Sequence, residues 1–304
     1  MAALIDFLCP SASDSLPSPW LLGNSLLTQA VDQATDYHHG LMVTAKAKGY
    51  YPSLVLDGWQ DVTKRHVEGV VLTYGPEVFD QETAKTDVEN NGIACAQMIE
   101  EEVIKRSELG LRICVTDDAG QMSRARRIIA RRHPSWLLLH CFAHQINLMV
   151  KAILSTPVFE WTMKAAANAA SLLNKSTAKW RPTLYDVMET IYGKEGMLAI
   201  PAVAETRWNS CQAVLASQLR LQKGLQYFVC VQQERPEFPL AFRVWSETNS
   251  FWKRCEEAEL AIRPFCEASF LMQRDGNTLC DVFVVMVNLF LHLGNFAEGE
   301  PYQT

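Results

Sequence analysis

Two short apolar segments of this chain each end on aspartate, and this pattern constrains the fold more than any other feature. The first is Leu54–Asp57 and the second is Ile113–Asp118. A carboxylate beside apolar strand residues is costly to bury unless its charge is compensated, and a divalent cation is the usual compensation where two carboxylates converge. Because open α/β sheets bind ligands at the carboxyl ends of their strands, Asp57 and Asp117 are predicted to hold Mg²⁺ or Mn²⁺ at one sheet edge.

Composition restricts the class of protein. The chain has 304 residues, of which 48% are hydrophobic, enough to bury the core of one large domain or two ordinary ones. Its formal charge of −6 argues against a uniformly basic nucleic-acid-binding surface but is compatible with a local basic face. The nine scattered cysteines form no C-x-x-C pair and indicate reduced, intracellular thiols. Since no signal-peptide pattern and no apolar run of about 20 residues is recognisable, a soluble, unsecreted protein without a membrane span is expected.

The order of strand and helix patterns predicts a mixed sheet. Strands one to three follow one another at short spacing, as in antiparallel hairpins, whereas strand four returns across a helix and should lie parallel to strand one. That arrangement would bring Asp57 and Asp117 side by side. The predicted strands are Leu54–Asp57, Val67–Tyr74, Val78–Gln81, Arg112–Thr116 and Trp136–Cys141, and the predicted helices between and after them are Asp87–Arg106, Met122–Arg132 and Ala143–Leu154.

Domain organisation follows from changes of pattern along the chain. Residues 1–20, whose second half is rich in Ser and Pro, are expected to be a tail. Residues 21–160 are expected to form the α/β core, with an N-terminal helix over 24–48. Strand signals fade after Pro157, so residues 161–304 are expected to be helical. The expected fold class is therefore α/β followed by an all-helical region.

Four short words in the sequence indicate a more specific relationship. They are Asp57–Asp61 (DGWQD), Val115–Ala119 (VTDDA), Cys141–Met149 (CFAHQINLM) and Thr206–Ser210 (TRWNS). In this order they are similar to the D-G-W-S-D, V-T-D-N-A, C-x-x-H-x-x-N-L and T-R-W-N-S words of hAT-superfamily transposases. The predicted strand order, with acidic residues on the first and fourth strands, also resembles the ribonuclease-H-like fold.

This resemblance implies a metal-dependent site for DNA strand transfer. In such transposases three acidic residues bind two catalytic metals, and the resemblance assigns the first two positions to Asp57 and Asp117. The third is a glutamate beyond a large helical insertion, which we expect to lie past Thr304 together with a C-terminal dimerisation region. The chain is thus expected to be a nuclear, transposase-derived DNA-binding protein that is not autonomously active. Its expected partners are DNA and, by oligomerisation, a second copy or a full-length transposase.

The two aspartates also have interpretations without metal chemistry. Asp57-Gly58 is a strong hairpin-turn signal. Either Asp117 or Asp118 is suited to cap the helix that follows, leaving the other to coordinate, and the resemblance favours Asp117 as the ligand.

An active nuclease is the alternative to a pure binding protein. It would combine Asp57 and Asp117 with a glutamate of the helix over 87–106, or with a glutamate supplied in trans. Glu89 is placed to act in this way, but a capping box with Thr86 accounts for Glu89 on local grounds alone.

The later words supply candidate DNA contacts. By resemblance, His144 contacts the DNA backbone, and Trp208, next to Arg207, stacks on a base displaced from the duplex. From the residues alone, Cys141 and His144 could be half of a zinc site, but no second ligand pair is in view, and a buried small apolar residue is the preferred interpretation of Cys141. The Arg207-Trp208 pair is also typical of a core tryptophan beside a salt-bridged arginine.

A basic segment precedes these words. Between Lys105 and Arg132 there are eight Lys and Arg residues against three acidic ones. Arg124, Arg127 and Arg131 recur at helical spacing and form one cationic stripe. Contact with DNA phosphates and a plain solvated face both explain such a stripe.

Overall fold

The computed structural model describes most of the chain and divides it into two compact units. The described residues are 18–60, 63–64, 66–74, 77–85, 91–105, 110–111, 113–193, 199–203, 209–247, 250–274 and 277–298. Unit one comprises residues 1–139 and unit two residues 140–304. The predicted tail over 1–20 lies mostly outside the described residues, and the described part is helical from Pro19 onwards.

Unit one is built around a five-stranded mixed sheet in the order β3-β2-β1-β4-β5. Its elements are α1 (Leu27–Ala47, preceded by helical turns from Pro19 to Leu26), β1 (Pro52–Gln60), β2 (His66–Tyr74), β3 (Glu77–Lys85), α2 (Gly92–Lys105), β4 (Ile113–Thr116), α3 (Gly120–Arg132) and β5 (Leu137–His140). β2 pairs antiparallel with both β1 and β3, whereas β4 pairs parallel with β1. The predicted mixed α/β sheet is therefore confirmed.

Alternation along β1 determines which face of the sheet is covered. Side chains of successive strand residues point to opposite faces, so Leu54 and Leu56 share one face, and both are buried. The same core contains Ile99 of α2 and Ile129 of α3, and Leu41 of α1 packs against it. These helices and the sheet thus enclose one apolar core, which fixes the strand ends that carry the aspartates.

β1 is longer than the sequence predicts, and Asp57 does not end it. The strand continues to Gln60 because β2 pairs with it over all nine of its residues. β4 has only four residues and ends at Thr116, opposite Leu56. The interpretation of Asp57 as part of a hairpin turn is wrong, since this residue lies within a strand opposite Gly69.

The described elements of unit two are all helical. They are α4 (Phe142–Leu154), α5 (Glu160–Lys175), α6 (Trp180–Tyr192), α7 (Ser210–Arg220), α8 (Gln222–Gln232), a 3₁₀ helix (Leu240–Ser246), α9 (Ser250–Met272) and α10 (Leu279–Glu298). The sequence pattern grouped α4 with the α/β core ending at residue 160. In the structure Ile146, Val150 and Leu154 of α4 belong to the core of unit two, because their helix packs along α9.

Aromatic side chains fill the centre of unit two. Trp180, Phe228, Phe242 and Trp245 are all buried, and the rings of Phe242 and Trp245 stack with centroids 5.0 Å apart. The indole Nε1 of Trp245 donates a hydrogen bond to Gln218 Oε1, 2.9 Å away. A buried polar atom is stable only when it is hydrogen-bonded, so this contact specifies one packing arrangement of the cluster.

Helix α10 has one packed face and one exposed face. Val285 and Leu289 are buried in the core of unit two, whereas Phe283 and Phe290 are 72% and 78% exposed. By length and composition alone, residues 279–297 form one helix that is apolar enough to cross a membrane, with a mean hydropathy of 1.7. A core helix of a soluble protein has the same length and composition, so the absence of a membrane span stays a prediction.

The close approach of α8 to α6 predicts opposite effects for two glycine substitutions. A Cβ at Gly224 would overlap Met188 Sδ and lie 2.9 Å from Tyr192 Cε2, so Gly224→Ala should destabilise unit two by about 1–3 kcal/mol. Gly40 of α1 has nothing within 4 Å of its added Cβ, so Gly40→Ala should stabilise the helix by about 0.5–1 kcal/mol. Urea unfolding followed by circular dichroism measures both changes, and equal shifts of the same sign would contradict the packing.

Candidate functional site

The parallel pairing of β1 and β4 defines one edge of the sheet. Leu56 pairs with Thr116, so Asp57 and Asp117 are the next residues on two neighbouring strands. Neighbouring strands lie about 4.8 Å apart. The structure therefore brings the backbone of these two predicted metal ligands together, and the predicted parallel return of strand four is confirmed.

The side chain of Asp57 is exposed, although the residue lies within a strand. Its neighbour Leu56 is buried because the two side chains point to opposite faces of the sheet. β4 has ended at this level, so β1 continues here with β2 as its hydrogen-bonded neighbour. The Asp57 carboxylate thus lies at an exposed position that a cation can reach.

Asp117 has a structural role at the end of β4. Its Oδ1 accepts a hydrogen bond from the backbone N–H of Ala119, 3.1 Å away, in the turn that leads to α3. The side chain is half-buried. The Oδ1 of Asp117 therefore caps the turn before α3, as the capping interpretation expects. Its Oδ2 accepts no hydrogen bond within the part of the chain that the structure describes.

Asp118 is held by a buried arginine of α3. Arg126 donates hydrogen bonds to the Oδ1 of Asp118, to the hydroxyl of Thr116 and to the backbone carbonyl of Asp117. The Arg126 side chain is 7% exposed and that of Asp118 is 27% exposed. Because one guanidinium contacts three consecutive residues, it fixes the chain at the carboxyl end of β4 and neutralises Asp118. Of the two neighbouring aspartates, Asp117 is the better candidate ligand.

Sequence reasoning missed a third carboxylate next to this edge. Glu68 of β2 lies opposite Gly58, and its side chain is completely buried. An added Cβ on Gly58 would lie 2.8 Å from both Glu68 carboxylate oxygens, so glycine leaves the space that this carboxylate occupies. The sequence of β2 could have revealed this burial, because Glu68 lies two residues before Val70 and four before Leu72 and so points to the same buried face of the strand.

The pKa of the Cys95 thiol in α2 is affected by the negative charge at this end of the core. Burial raises the pKa of the Cys95 thiol to about 11, and the negative charges of Glu68 and Asp117 add to the increase. A thiolate is disfavoured by low-dielectric surroundings and by nearby anions. The two carboxylates are therefore close enough to this thiol for their charges to act on it.

The donor set offers a divalent cation few ligands. Among the described residues, no group of three or more His, Cys, Asp or Glu side chains is suited to hold a metal. Mg²⁺ and Mn²⁺ accept carboxylate oxygens and retain water, so Asp57 and Asp117 fit a weakly held cation. Binding of Mg²⁺ or Mn²⁺ stays a prediction.

The predicted DNA contacts of the later words lie in unit two. His144 is in the first turn of α4 and is half-buried, and Cys141, also half-buried, directly precedes that helix. Among the described residues, no third His, Cys, Asp or Glu side chain joins Cys141 and His144 to form a zinc site. Arg207 and Trp208 lie outside the described residues.

Helix α3 carries the predicted cationic stripe, and Arg124, Arg127 and Arg131 are all exposed. Glu89 and Thr86 of the alternative nuclease lie outside the described residues. The helix that was predicted to begin at Asp87 begins at Gly92, because Asn91 caps it. The Asn91 Oδ1 accepts hydrogen bonds from the backbone N–H groups of Ile93 and Ala94, at 3.0 and 3.1 Å.

The buried guanidinium of α3 predicts a large and specific loss of stability. Arg126→Met removes every polar contact of that side chain and takes the guanidinium away from the partly buried Asp118 carboxylate, so we expect destabilisation by about 2–4 kcal/mol. The exposed neighbour Arg127→Met should change stability by less than about 0.5 kcal/mol. Urea midpoints measure both, and Arg126→Met combined with Asp118→Asn should recover part of the loss. If Arg126→Met and Arg127→Met lower the urea midpoint by the same amount, Arg126 does not anchor the end of β4.

The raised thiol pKa predicts an alkaline loss of stability. An unfolded cysteine titrates near pH 8.5, so between about pH 8.5 and 11 the unfolded chain releases the Cys95 proton while the folded chain keeps it. Stability should therefore fall as the pH rises through this window and be unaffected by this group below it. Cys95→Ala should show a shallower fall than the wild type in urea unfolding at several pH values. Identical slopes would contradict the assignment.

No protein-family model matches this chain, and none of the curated protein sequences matches it significantly.

Proposed function

We propose that this protein is a DNA-binding protein derived from a hAT-superfamily transposase, in which unit one has a ribonuclease-H-like fold with an incomplete strand-transfer site. The observation that supports this function most directly is the pairing of Leu56 with Thr116, since it makes Asp57 and Asp117 neighbours on parallel strands. Two carboxylates at the carboxyl ends of adjacent strands are suited to a cation that contacts a phosphodiester.

The strand order supports the same fold. Three antiparallel strands followed by a parallel fourth, in the order β3-β2-β1-β4-β5, is the arrangement expected from the resemblance. The four words at residues 57–61, 115–119, 141–149 and 206–210 occur in the order of the transposase words. The nuclear location and the association with a second copy or with a full-length transposase belong to the same proposal.

The chemistry of the site favours binding over cleavage. In a complete site, paired divalent cations activate a water and stabilise the leaving 3′ oxygen of the phosphodiester. Here Asp57 and Asp117 would hold a cation through their carboxylate oxygens, and the hydrogen bond from Ala119 N–H keeps Asp117 oriented. Two carboxylates leave most positions of an octahedral cation to water. The retained function is therefore to hold DNA, with His144, Arg207 and Trp208 as contacts by resemblance.

The carboxylate pair predicts how DNA binding responds to metal. Asp57→Asn with Asp117→Asn removes two negative charges, so in EDTA this variant should bind duplex DNA several-fold more tightly than the wild type. Mg²⁺ at constant ionic strength should strengthen binding by the wild type more than by the variant, because only the wild type has the carboxylates that link the cation to a phosphate. Fluorescence anisotropy measures both effects. Asp32→Asn with Asp36→Asn, which removes two negative charges from exposed aspartates of α1, is the matched control and should resemble the wild type.

Plasmid nicking in Mn²⁺ separates binding from catalysis. We expect DNA binding that weakens with salt and no nicking above that of the double asparagine variant. Nicking by the wild type that is lost in the double variant would replace this function with the alternative, an active nuclease. Absence of salt-sensitive DNA binding at 50 mM salt or below, in protein with a cooperative unfolding transition, would overturn the proposed function.

A further inference from the structure

Helices α2 and α3 of unit one lie side by side and form a shallow surface cavity of about 500 Å³. Among the residues that the structure describes, its lining consists of arginine and isoleucine side chains: Ile93, Arg124, Arg127, Ile128, Arg131 and Arg132. A cavity of this volume can hold a segment of a chain-like ligand that carries several chemical groups. Its wall chemistry selects for a ligand that is both anionic and partly apolar.

Three of the arginines in this cavity form no ion pair with the residues that the structure describes. Arg132 pairs with Glu100 of α2 at 2.8 Å, so its charge is already balanced. Arg124, Arg127 and Arg131 are exposed and make no ion pair or side-chain hydrogen bond with any residue that the structure describes. This concentration of positive charge stands out in a chain whose formal charge is −6. Such a patch attracts anions from solution.

The spacing of these arginines matches a polyanion. They follow one another at intervals of three and four residues, so they lie on one face of α3. At 1.5 Å per residue, Arg124 and Arg131 are separated by roughly 10 Å along the helix axis. A DNA strand carries a phosphate about every 3.4 Å of helix axis, so roughly three phosphates span this length.

Arg124 is held in position by its neighbour on α2. An added Cβ on Gly92 would lie 2.5 Å from Arg124 Cβ and 2.7 Å from its Cδ, so the stem of this arginine packs directly on the first residue of α2. A stem that is already ordered loses less entropy when its guanidinium binds. The amino-terminal end of α2 also carries the positive end of the helix dipole, which adds to the attraction for an anion.

The apolar part of the cavity distinguishes between anions. Ile93 is 46% exposed, and Ile128 is half-buried beside the arginines. Inorganic phosphate or polyphosphate gains nothing from such contacts, whereas the sugar rings of a nucleic-acid backbone present apolar carbons between phosphates. The lining side chains that the structure describes are arginine and isoleucine, which offer no hydrogen-bond acceptor, so discrimination between bases is not expected.

We propose, relying on the proposed function only in taking DNA as the source of the phosphates, that the α2–α3 cavity binds successive phosphates of a nucleic-acid backbone. Arg124, Arg127 and Arg131 form the charged contacts, and Ile93 contacts sugar. This site contacts phosphate through arginines, whereas the Asp57–Asp117 edge would do so through a cation, so this site needs no metal. It holds DNA without sequence preference.

The experiment compares two triple variants with equal changes in charge. The test variant is R124Q/R127Q/R131Q, and the control is R220Q/R235Q/R274Q, three exposed arginines of unit two. Binding of two unrelated duplexes is measured by anisotropy in EDTA between 50 and 300 mM salt. The magnitude of the slope of log K against log salt falls by about 0.9 for each phosphate contact that is lost. The slope of the test variant should therefore be smaller in magnitude than that of the wild type by about 2–3. Its affinity at low salt should be at least tenfold lower. Equal melting temperatures establish that both variants are folded.

Each outcome separates this site from the proposed function. A wild-type protein that binds DNA and a test variant that keeps the wild-type slope would overturn the cavity but leave DNA binding intact. A control variant that loses as much slope as the test variant, or a strong difference between the two duplexes, would also overturn it. If the wild type binds inorganic polyphosphate but no DNA, and the test variant binds neither, the phosphate site stands and the proposed function fails.

Discussion

The parallel pairing of β1 with β4 is the interaction on which the candidate site depends. β4 has only four residues, and its register against β1 decides that the residue after Leu56 and the residue after Thr116 are neighbours. A short strand alone specifies register weakly, because few backbone hydrogen bonds distinguish one alignment from another. Arg126 adds specificity, since its guanidinium contacts Thr116, Asp117 and Asp118 together and holds the end of the strand.

Helix α3 serves two purposes because its faces differ. On its inner side, Ile129 joins the core and Arg126 neutralises Asp118, so the helix is attached both by apolar burial and by charge. On its outer side, Arg124, Arg127 and Arg131 are exposed and form no ion pair with the residues that the structure describes. The same residue type is thus structural in one direction and available to a ligand in the other. Burial and the position of the nearest carboxylate make the difference.

Negative charge is concentrated behind the edge that carries the aspartates. Glu68 is completely buried against Gly58, and its charge acts on Cys95 together with that of Asp117. Retaining a buried carboxylate is unfavourable unless its surroundings stabilise it. Glu68 and Asp117 thus place two carboxylates close enough to act on the same buried thiol.

Much of unit one follows from local sequence. Alternating apolar residues, short hairpin spacings and a returning strand predicted a mixed sheet with Asp57 and Asp117 on adjacent parallel strands, since these signals act over a few residues. The helical spacing of the arginines on α3 was likewise recognisable. The sequence pattern could not decide that β1 passes through Asp57, because its length depends on how far β2 pairs with it.

Tertiary contacts decided the remaining features. Helix α4 has an apolar face that fits either neighbour, and only packing against α9 assigns it to unit two. Burial of Glu68 depends on the space left by a glycine on the adjacent strand. Likewise, the distinction between Arg126 and its exposed neighbours depends on where Asp118 lies. The chain by itself determined which residues carry charge and with what period, while long-range packing determined that Arg126 is buried against Asp118 and that Arg124, Arg127 and Arg131 are exposed.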